Sequence, residues 1–262
     1  MIGHENVGYV ADAGRAGGFS RKIVLRIFLG VGERIVADPL LACEVRGIQD
    51  ACGQCRQGQP QRCENATRGN LQPGIMRKIV ALMLGLRIFL GLGTCASTGG
   101  SWSRFFLAHR NQVFRVPATV SDENAALMEP FCASLHPVAR NRPADSDTVL
   151  VVGAGTIGLA TVAALRALGS RSRVIVLARH GFQAELAQAY GADNTVLARR
   201  AGQHRQELAH ELSGTLAKPV MGDPVMLGGG ADLVYDCVGA ASSIGEATHI
   251  EQWRAALQTG HE

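Results

Sequence analysis

The sequence lacks the features that would indicate nucleic acid, a membrane or the secretory pathway as its setting. Its net charge is only +4 at pH 7, and its basic residues form no stripe, which argues against nucleic-acid binding. The first residues, 1–5, contain no basic region leading into an apolar one, so no signal peptide is expected. The apolar run 79–93 is too short for a membrane span and contains Arg87. A cytoplasmic protein is predicted.

Charged residues are also few, at 18%, whereas 47% of residues are hydrophobic, so nothing in the composition requires disorder. A chain of 262 residues suits one large or two ordinary domains. Seven cysteines, of which Cys52, Cys55 and Cys63 are closely spaced, indicate metal ligands or core thiols more than a secreted disulfide framework. Cys132 and Cys237, in apolar surroundings, are predicted to be core thiols.

The stretch 148–169 predicts a strand, a tight turn and a helix. Its beginning, Thr148–Val152, is apolar and β-branched, which suits a strand buried on both faces of a parallel sheet. From Leu159 to Leu165 apolar residues recur at helical spacing, and Gly169 marks the end of the helix.

A glycine motif stands between this strand and this helix. Gly153 permits the tight turn, Gly155 lets a pyrophosphate approach the backbone, and Gly158 lets the helix pack close to the strand. Together with Thr156 and Ile157 these glycines are predicted to bind a dinucleotide cofactor, because the free N–H groups of a helix N-terminus attract an anion. A close strand-to-helix turn without a ligand is the alternative interpretation.

The residues after the motif favour the dinucleotide interpretation. A second apolar strand, 173–178, and a helix pattern ending at Gly191 complete a βαβ unit. NAD-specific sites place a carboxylate at the end of the second strand, whereas this chain has Arg179 and His180 there. NADP(H) is therefore predicted over NAD(H), with Arg179 contacting the 2′-phosphate; an ordinary surface arginine is the alternative.

A second candidate site lies in a cysteine-containing loop, and a third candidate is an isolated histidine. Cys52, Cys55 and Cys63 follow Cys43, and nearby glycines and a proline supply turns that let thiolates converge on a tetrahedral zinc. Free thiols in a loop are the alternative. His4, followed at once by Glu5, can ligate zinc if partners come from elsewhere in the chain.

The motifs of this chain, in the order in which they occur in the sequence, resemble those of the zinc-containing medium-chain dehydrogenase/reductases. This is the family of alcohol, sorbitol and threonine dehydrogenases. The resemblance is carried by Gly3-His4-Glu5 with Gly8 and Gly14, Gly32-Glu-Arg-Ile-Val36, the cysteine loop, Met128-Glu129-Pro130, the Gly153 turn and the stretch 228–239. These motifs cover most of the chain and are specific in combination.

The resemblance implies roles for single residues at a catalytic zinc. His4 matches a ligand of this zinc, Glu5 matches the acidic neighbour of that ligand, and Glu129 matches a further ligand in sorbitol-dehydrogenase-like members. These three are the predicted catalytic residues, and His4 and Glu129 are the predicted metal ligands. The alternative for Glu129 is an ordinary surface carboxylate.

The resemblance also implies a structural zinc in the cysteine loop. Cys52, Cys55 and Cys63 match three of its four ligands, whereas the first is expected at Gln49. Either Cys43 substitutes for that ligand, or the loop holds no zinc.

The implied fold is α/β, in which a GroES-like β-barrel-type catalytic domain over 1–142 precedes a partial Rossmann domain, a doubly wound parallel sheet, over 143–262. The chain is expected to be truncated at both ends relative to the family. It would lack the segment that supplies a cysteine ligand and a proton-relay hydroxyl, and also the last Rossmann strands. Two similar segments near 21–31 and 77–92 are predicted to be inserts, because they repeat the same residues.

The implied function is hydride transfer between an alcohol or carbonyl substrate and NAD(P), with zinc polarising the substrate oxygen. The alternatives are a zinc-free reductase of the same superfamily and a non-catalytic nucleotide-binding remnant. A homo-oligomer is compatible with the resemblance, since relatives often dimerise. Little or no turnover is expected of the 262-residue chain unless another residue, such as Cys95, completes the metal site.

Overall fold

The structure is a computed structural model, and it describes residues 4–11, 30–65, 101, 104–106, 108–109, 111–199, 203–218, 220, 224–240 and 242–243, with the backbone of 255–256. The chain divides into two compact units, 1–129 and 130–262. The domain limits inferred from the sequence, with a boundary at 142, stay a prediction. The inserts near 21–31 and 77–92 lie outside the described residues except for Gly30 and Val31, as does Cys95.

The described part of the first unit contains a small antiparallel sheet. Its strands are β1 (Gly8–Tyr9), β2 (Arg34–Ala37) and β3 (Val113–Arg115), with β2 in the centre. Gly8 is opposite Ile35, and Ile35 is opposite Arg115. Ile35 and Ala37 are buried while their neighbours on β2 are less so, the alternation expected of a strand with one buried face.

Short helices follow these strands in the first unit. They are α1 (Gly53–Arg56), a 3₁₀ helix (Pro60–Arg62) and α2 (Asp122–Ala126). The Asn124 N–H donates to the Ser121 hydroxyl over 3.3 Å, which caps the start of α2. Asp122 in its first turn also forms an ion pair with Arg34 at 2.9 Å, so α2 is tied to β2.

The second unit contains a parallel sheet with helices between its strands. The strands of the sheet are β4 (Thr148–Val152), β5 (Arg173–Ala178), β6 (Asn194–Leu197), β9 (Leu233–Asp236) and β10 (Ala255–Ala256), in the spatial order β10-β9-β4-β5-β6. The helices are α3 (Met128–Arg140), which begins at the unit boundary, α4 (Thr156–Ala167), α5 (Gly181–Ala189) and α6 (His204–Glu211).

Both faces of this sheet are covered by apolar side chains. Val149 and Val151 of β4 belong to one buried cluster, which includes Val162 of α4. Leu150 of β4 belongs to a second cluster, which includes Leu208 of α6. Helices on both faces and an all-parallel sheet define a doubly wound α/β unit, so the predicted fold class is confirmed.

Three details of the second unit differ from the expectations. Two residues, Ala255–Ala256, pair in parallel with β9, although the sequence beyond Gly239 did not resemble a further strand. An antiparallel hairpin of β7 (Thr215–Ala217) and β8 (Val225–Leu227) was not predicted. Cys132 is exposed, so its prediction as a core thiol was wrong.

No helix among the described residues is both long and apolar enough to cross a bilayer.

Candidate nucleotide and metal sites

The glycine turn after β4 is shaped by close contacts that exclude larger residues at two positions. Gly153 has a φ of +93°, and a Cβ there would lie 2.5 Å from Cγ2 of Val238. A Cβ on Gly158 would lie 1.8 Å from the carbonyl oxygen of Gly153. The turn therefore needs glycine at both positions for its own packing.

Gly155 differs from these two glycines because nothing in the structure requires it. Its φ of −78° and ψ of −168° suit any residue, and a Cβ added there meets nothing within 4 Å. The space beside it lies at the N-terminus of α4, where exposed Thr156 also stands. An open backbone at a helix N-terminus fits the approach of a pyrophosphate.

Ile157 is placed differently from the other predicted cofactor-binding residues. It is half-buried, and its carbonyl oxygen accepts hydrogen bonds from the hydroxyls of Ser134, at 3.1 Å, and Thr161, at 2.9 Å. The bond from Ser134 ties the first turn of α4 to α3, whereas the bond from Thr161 lies within α4. Ile157 thus supports the turn through its backbone carbonyl.

The turn lies where the strand order reverses, between β4 and β9, which is the place where doubly wound sheets bind ligands. Asp236, fully buried at the end of β9, accepts hydrogen bonds from the N–H groups of Val238 at 3.0 Å and Gly239 at 3.3 Å, and from the Ser243 hydroxyl at 3.0 Å. The sequence analysis missed this carboxylate. A lone acid ending an apolar strand was the signal that could have found it.

The residues after β5 contain no carboxylate where an NAD ribose would be held. Arg179 is exposed directly after the last residue of β5. The ring of His180 stacks on that of Phe182, with centroids 5.8 Å apart. The backbone N–H of His180 donates to Oε1 of Gln183 at 3.2 Å. An exposed arginine in a stretch of sequence without a carboxylate suits a 2′-phosphate.

The four predicted zinc cysteines come together in the first unit. Their sulfur atoms all lie within 4.8 Å of one another, and those of Cys43 and Cys63 are 3.5 Å apart. Tetrahedral zinc with bonds of about 2.3 Å would separate the sulfurs by about 3.8 Å. The donor set and its spacing fit a structural zinc, made by Cys43, Cys52, Cys55 and Cys63.

Cys43 reaches the cluster through a compact loop. The N–H of Arg46 donates to Ala42 O at 3.1 Å, that of Ile48 to Cys43 O at 2.9 Å, and that of Gly47 to Glu44 O at 3.1 Å. Gly47 has a φ of +70°, which lets the chain reverse. Because the loop folds back on itself, the sulfur of Cys43 joins the other three although Gln49 stands at the expected position.

N–H groups surround the cluster and stabilise thiolates. The Cys55 N–H and the Glu64 N–H each lie 3.4 Å from the sulfur of Cys52, and they lower its pKa to about 6, with the Cys55 N–H as the main cause. The side-chain amide of Asn65 donates to Cys43 at 3.2 Å. Burial, with the neighbouring Cys43, raises the pKa of Cys63 to about 12. Because like charges at this spacing repel, the four sulfurs can all be thiolates only with a cation between them.

The predicted catalytic residues also converge, all within the first unit. Ligand atoms of His4, Glu5 and Glu129 lie within 4.8 Å of one another, and His4 Nε2 is 3.5 Å from Glu129 Oε1. A tetrahedral zinc with nitrogen and oxygen bonds of about 2.0 to 2.2 Å would hold such atoms about 3.4 Å apart. The pair His4 and Glu129 fits a zinc.

The side-chain amide of Asn6 fixes the segment around His4. The Asn6 side chain donates to the carbonyl oxygens of His4 at 2.8 Å and Ala37 at 3.2 Å, and it accepts from the Ala37 N–H at 2.9 Å. It thereby ties the segment around His4 to the end of β2. Asn6 is a second supporting residue that the sequence analysis missed.

Negative charge is concentrated at this second cluster. Burial raises the pKa of Glu129, and the carboxylates of Glu5 and Asp38 raise it further, while His4 opposes them. Such crowding of carboxylates attracts a cation, which would relieve the repulsion.

Comparisons with known proteins show similarity to zinc-binding dehydrogenases. Residues 156–251 match a family model described as Zinc-binding dehydrogenase. The L-idonate 5-dehydrogenase of Vitis vinifera is 25% identical over 239 residues, which cover 91% of this chain and 51% of that protein. The chain spans about half the length of the curated relatives it matches.

Two solved structures share the fold over nearly the whole chain. A protein of Sinorhizobium meliloti 1021, described as a zinc-binding dehydrogenase and bound to NADP, is 26% identical with a TM-score of 0.66, covering 98% of this chain and 59% of its own. A protein of Escherichia coli CFT073, described as a short chain alcohol dehydrogenase (rspB) complexed with NADH, is 25% identical with a TM-score of 0.68, covering 98% and 60%. The resemblance to zinc-containing medium-chain dehydrogenase/reductases is confirmed.

Proposed function

We propose that the chain is the nucleotide-binding and metal-binding part of an oxidoreductase that passes a hydride between NAD(P) and a small alcohol or carbonyl substrate. The observation that carries the proposal is the open backbone at Gly155, which lies at the switch point of a doubly wound sheet. The neighbours that bind NADP and NADH support a nicotinamide cofactor. The expectations that the chain binds neither nucleic acid nor a membrane, and that a homo-oligomer is compatible with the resemblance, stay predictions.

Each part of the chain has a role in this proposal. The turn at Gly153, Gly155 and Gly158 and the N–H groups at Thr156 bind the diphosphate. His4 and Glu129 hold a catalytic zinc, and Glu5 adds negative charge beside it. Bound zinc supplies a Lewis acid that polarises the substrate oxygen. Two metal ligands are fewer than the three usual in catalytic sites, so little or no turnover by the 262-residue chain is expected.

We further propose that Cys43, Cys52, Cys55 and Cys63 hold a second, structural zinc, and that NADP(H) is preferred over NAD(H). The sulfur geometry and the surrounding N–H donors support the structural zinc. The exposed Arg179, with no acid beside it at the end of β5, supports the choice of cofactor.

A single alanine tests the cofactor site. Gly155→Ala fits the free protein, because its Cβ meets nothing within 4 Å, but the added methyl stands where the diphosphate must approach. We expect unchanged thermal unfolding without cofactor and roughly tenfold weaker NADPH binding, about the cost of overpacking one methyl group. Titration of NADPH fluorescence measures the affinity. Equal affinity in the variant and the unmodified chain would remove the observation that carries the proposal.

A further inference from the structure

The short segment 63–65 contacts several parts of the cysteine cluster at once. Cys63 contributes a sulfur, and the backbone N–H of Glu64 lies 3.4 Å from the sulfur of Cys52. The side-chain amide of Asn65 donates to the sulfur of Cys43 at 3.2 Å. We propose that Asn65 is a positioning residue that makes Cys43 the fourth ligand of the structural zinc. This inference rests on the structural zinc of the proposed function and explains how its fourth ligand is supplied.

Cys43 needs such a residue because it is not placed by the local structure that holds its neighbours. Cys52 caps the first turn of α1, and its sulfur accepts the N–H of Cys55, so the spacing of these two ligands is set within one short helix. Cys43 comes from a separate loop, and Gln49 stands where the resemblance expects the ligand. A ligand that is held in place before the metal arrives loses less conformational freedom on binding.

Asn65 holds the loop of Cys43 at two points. Its side-chain amide contacts the sulfur of Cys43, and its backbone carbonyl oxygen accepts a hydrogen bond from the guanidinium of Arg46 in the same loop. Asn65 and Cys43 are both buried. Because the two contacts come from one residue, the loop and its sulfur are fixed relative to the segment that carries Cys63.

Arg46 also brings positive charge into the loop that carries Cys43. Four thiolates around one zinc ion leave a net charge of about −2, which is costly to bury unless cations or hydrogen-bond donors lie nearby. Nε of Arg46 is buried and has no hydrogen-bond partner among the described residues. The contact with Asn65 therefore fixes the cation as well as the ligand within one loop.

A residue that merely closes the loop can be distinguished from one that positions Cys43. If Asn65 acts through Cys43, its loss matters only while Cys43 is a ligand, so the two substitutions should not add. If Asn65 only supports the fold of the loop, its loss should weaken metal binding whether or not Cys43 is present.

The test is a double-mutant cycle on Co²⁺ binding to the reduced, metal-free chain. Co²⁺ bound to thiolates gives a sulfur-to-cobalt charge-transfer band, whereas Co²⁺ at the sulfur-free cluster of His4 and Glu129 does not. In Asn65→Leu the affinity read from this band should fall about tenfold or more, the loss typical of a residue that supports a ligand. The band per bound Co²⁺ should fall by about a quarter, because one of four thiolates leaves the metal. In the Cys43→Ser background Asn65→Leu should change neither quantity.

Two further variants control for shape and for the substitution itself. Asn65→Asp keeps the shape of the side chain and replaces the donor with an acceptor, so it should weaken Co²⁺ binding at least as much as Asn65→Leu. Asn124→Leu makes the same substitution at an exposed position of α2, and it should bind Co²⁺ as the unmodified chain does.

The possible results separate this inference from the structural zinc on which it rests. If Asn65→Leu weakens Co²⁺ by the same factor with and without Cys43, or if Asn65→Leu and Asn65→Asp bind Co²⁺ normally, the positioning role is wrong and the zinc site stands. If the unmodified chain shows no sulfur-to-cobalt band, or if Cys43→Ser leaves the band unchanged, the four-cysteine zinc of the proposed function fails, and this inference fails with it.

Discussion

Different interactions stabilise each of the two units of this chain internally. Both apolar clusters among the described residues lie in the unit 130–262, where strands β4 and β5 are almost completely buried. In the unit 1–129 the described strands are two to four residues long, and side chains with metal-ligand chemistry converge at two places. Apolar burial stabilises the second unit, whereas bound metal would stabilise much of the first.

Because the two units are stabilised differently, we expect them to respond differently to a change of one atom. In the second unit the strand, the turn and the helix touch so closely that one methyl group is too large at Gly158. In the cysteine loop, 43–63, the four sulfurs converge, and local turns hold the loop backbone between them. Each of the predictions that follow changes one residue in one of these regions and compares it with a matched control residue.

The largest effect is expected from Gly158→Ala. The added Cβ would lie 1.8 Å from Gly153 O, which is a backbone atom and cannot rotate away. We expect the free energy of unfolding to fall by roughly 3 kcal/mol or more, at the upper end for overpacking. Urea unfolding measures it. Gly181→Ala, where a Cβ meets nothing within 4 Å, is the control and should change little; equal stabilities for the two variants would contradict the account.

The next largest effect is expected from Cys55→Ser. Loss of one of four thiolates opens the proposed structural zinc site, so zinc affinity should fall by at least about 100-fold, more than the loss of a supporting residue causes. Metal analysis after exposure to a chelator measures the zinc retained. Cys132→Ser, outside the cluster and exposed, should retain zinc as the unmodified chain does. Equal zinc content in both variants would mean that the four thiols are free.

A smaller effect is expected from Arg179→Ala in the second unit. If the guanidinium contacts the 2′-phosphate, its loss removes a charge-assisted hydrogen bond and should weaken NADPH binding about tenfold, with little change for NADH. Arg171→Ala removes the same charge before the start of β5 and serves as the control. Equal losses for NADPH and NADH, or none, would leave Arg179 an ordinary surface residue.

From the sequence, the second unit could be predicted far better than the residues that hold the candidate sites in place. The run Thr148–Val152 and the glycine motif carry their structure in local periodicity, and both appear as expected. Asn6 acts through hydrogen bonds to Ala37, which is distant in sequence, so composition and spacing could not reveal it. Asp236 carries one signal, a lone acid at the end of an apolar strand, but the turn that it holds shows no pattern. The place of Cys43 likewise depends on how one loop folds.

The most direct test of the difference between the units is amide hydrogen exchange with and without a strong zinc chelator. The account predicts faster exchange in residues 41–65 after zinc removal, because the metal holds this loop, and unchanged exchange in 148–178, where the buried strands and the glycine turn stabilise themselves. The same measurement on Cys55→Ser should resemble the chelated protein. Exchange that changes equally in both regions, or in neither, would contradict the account.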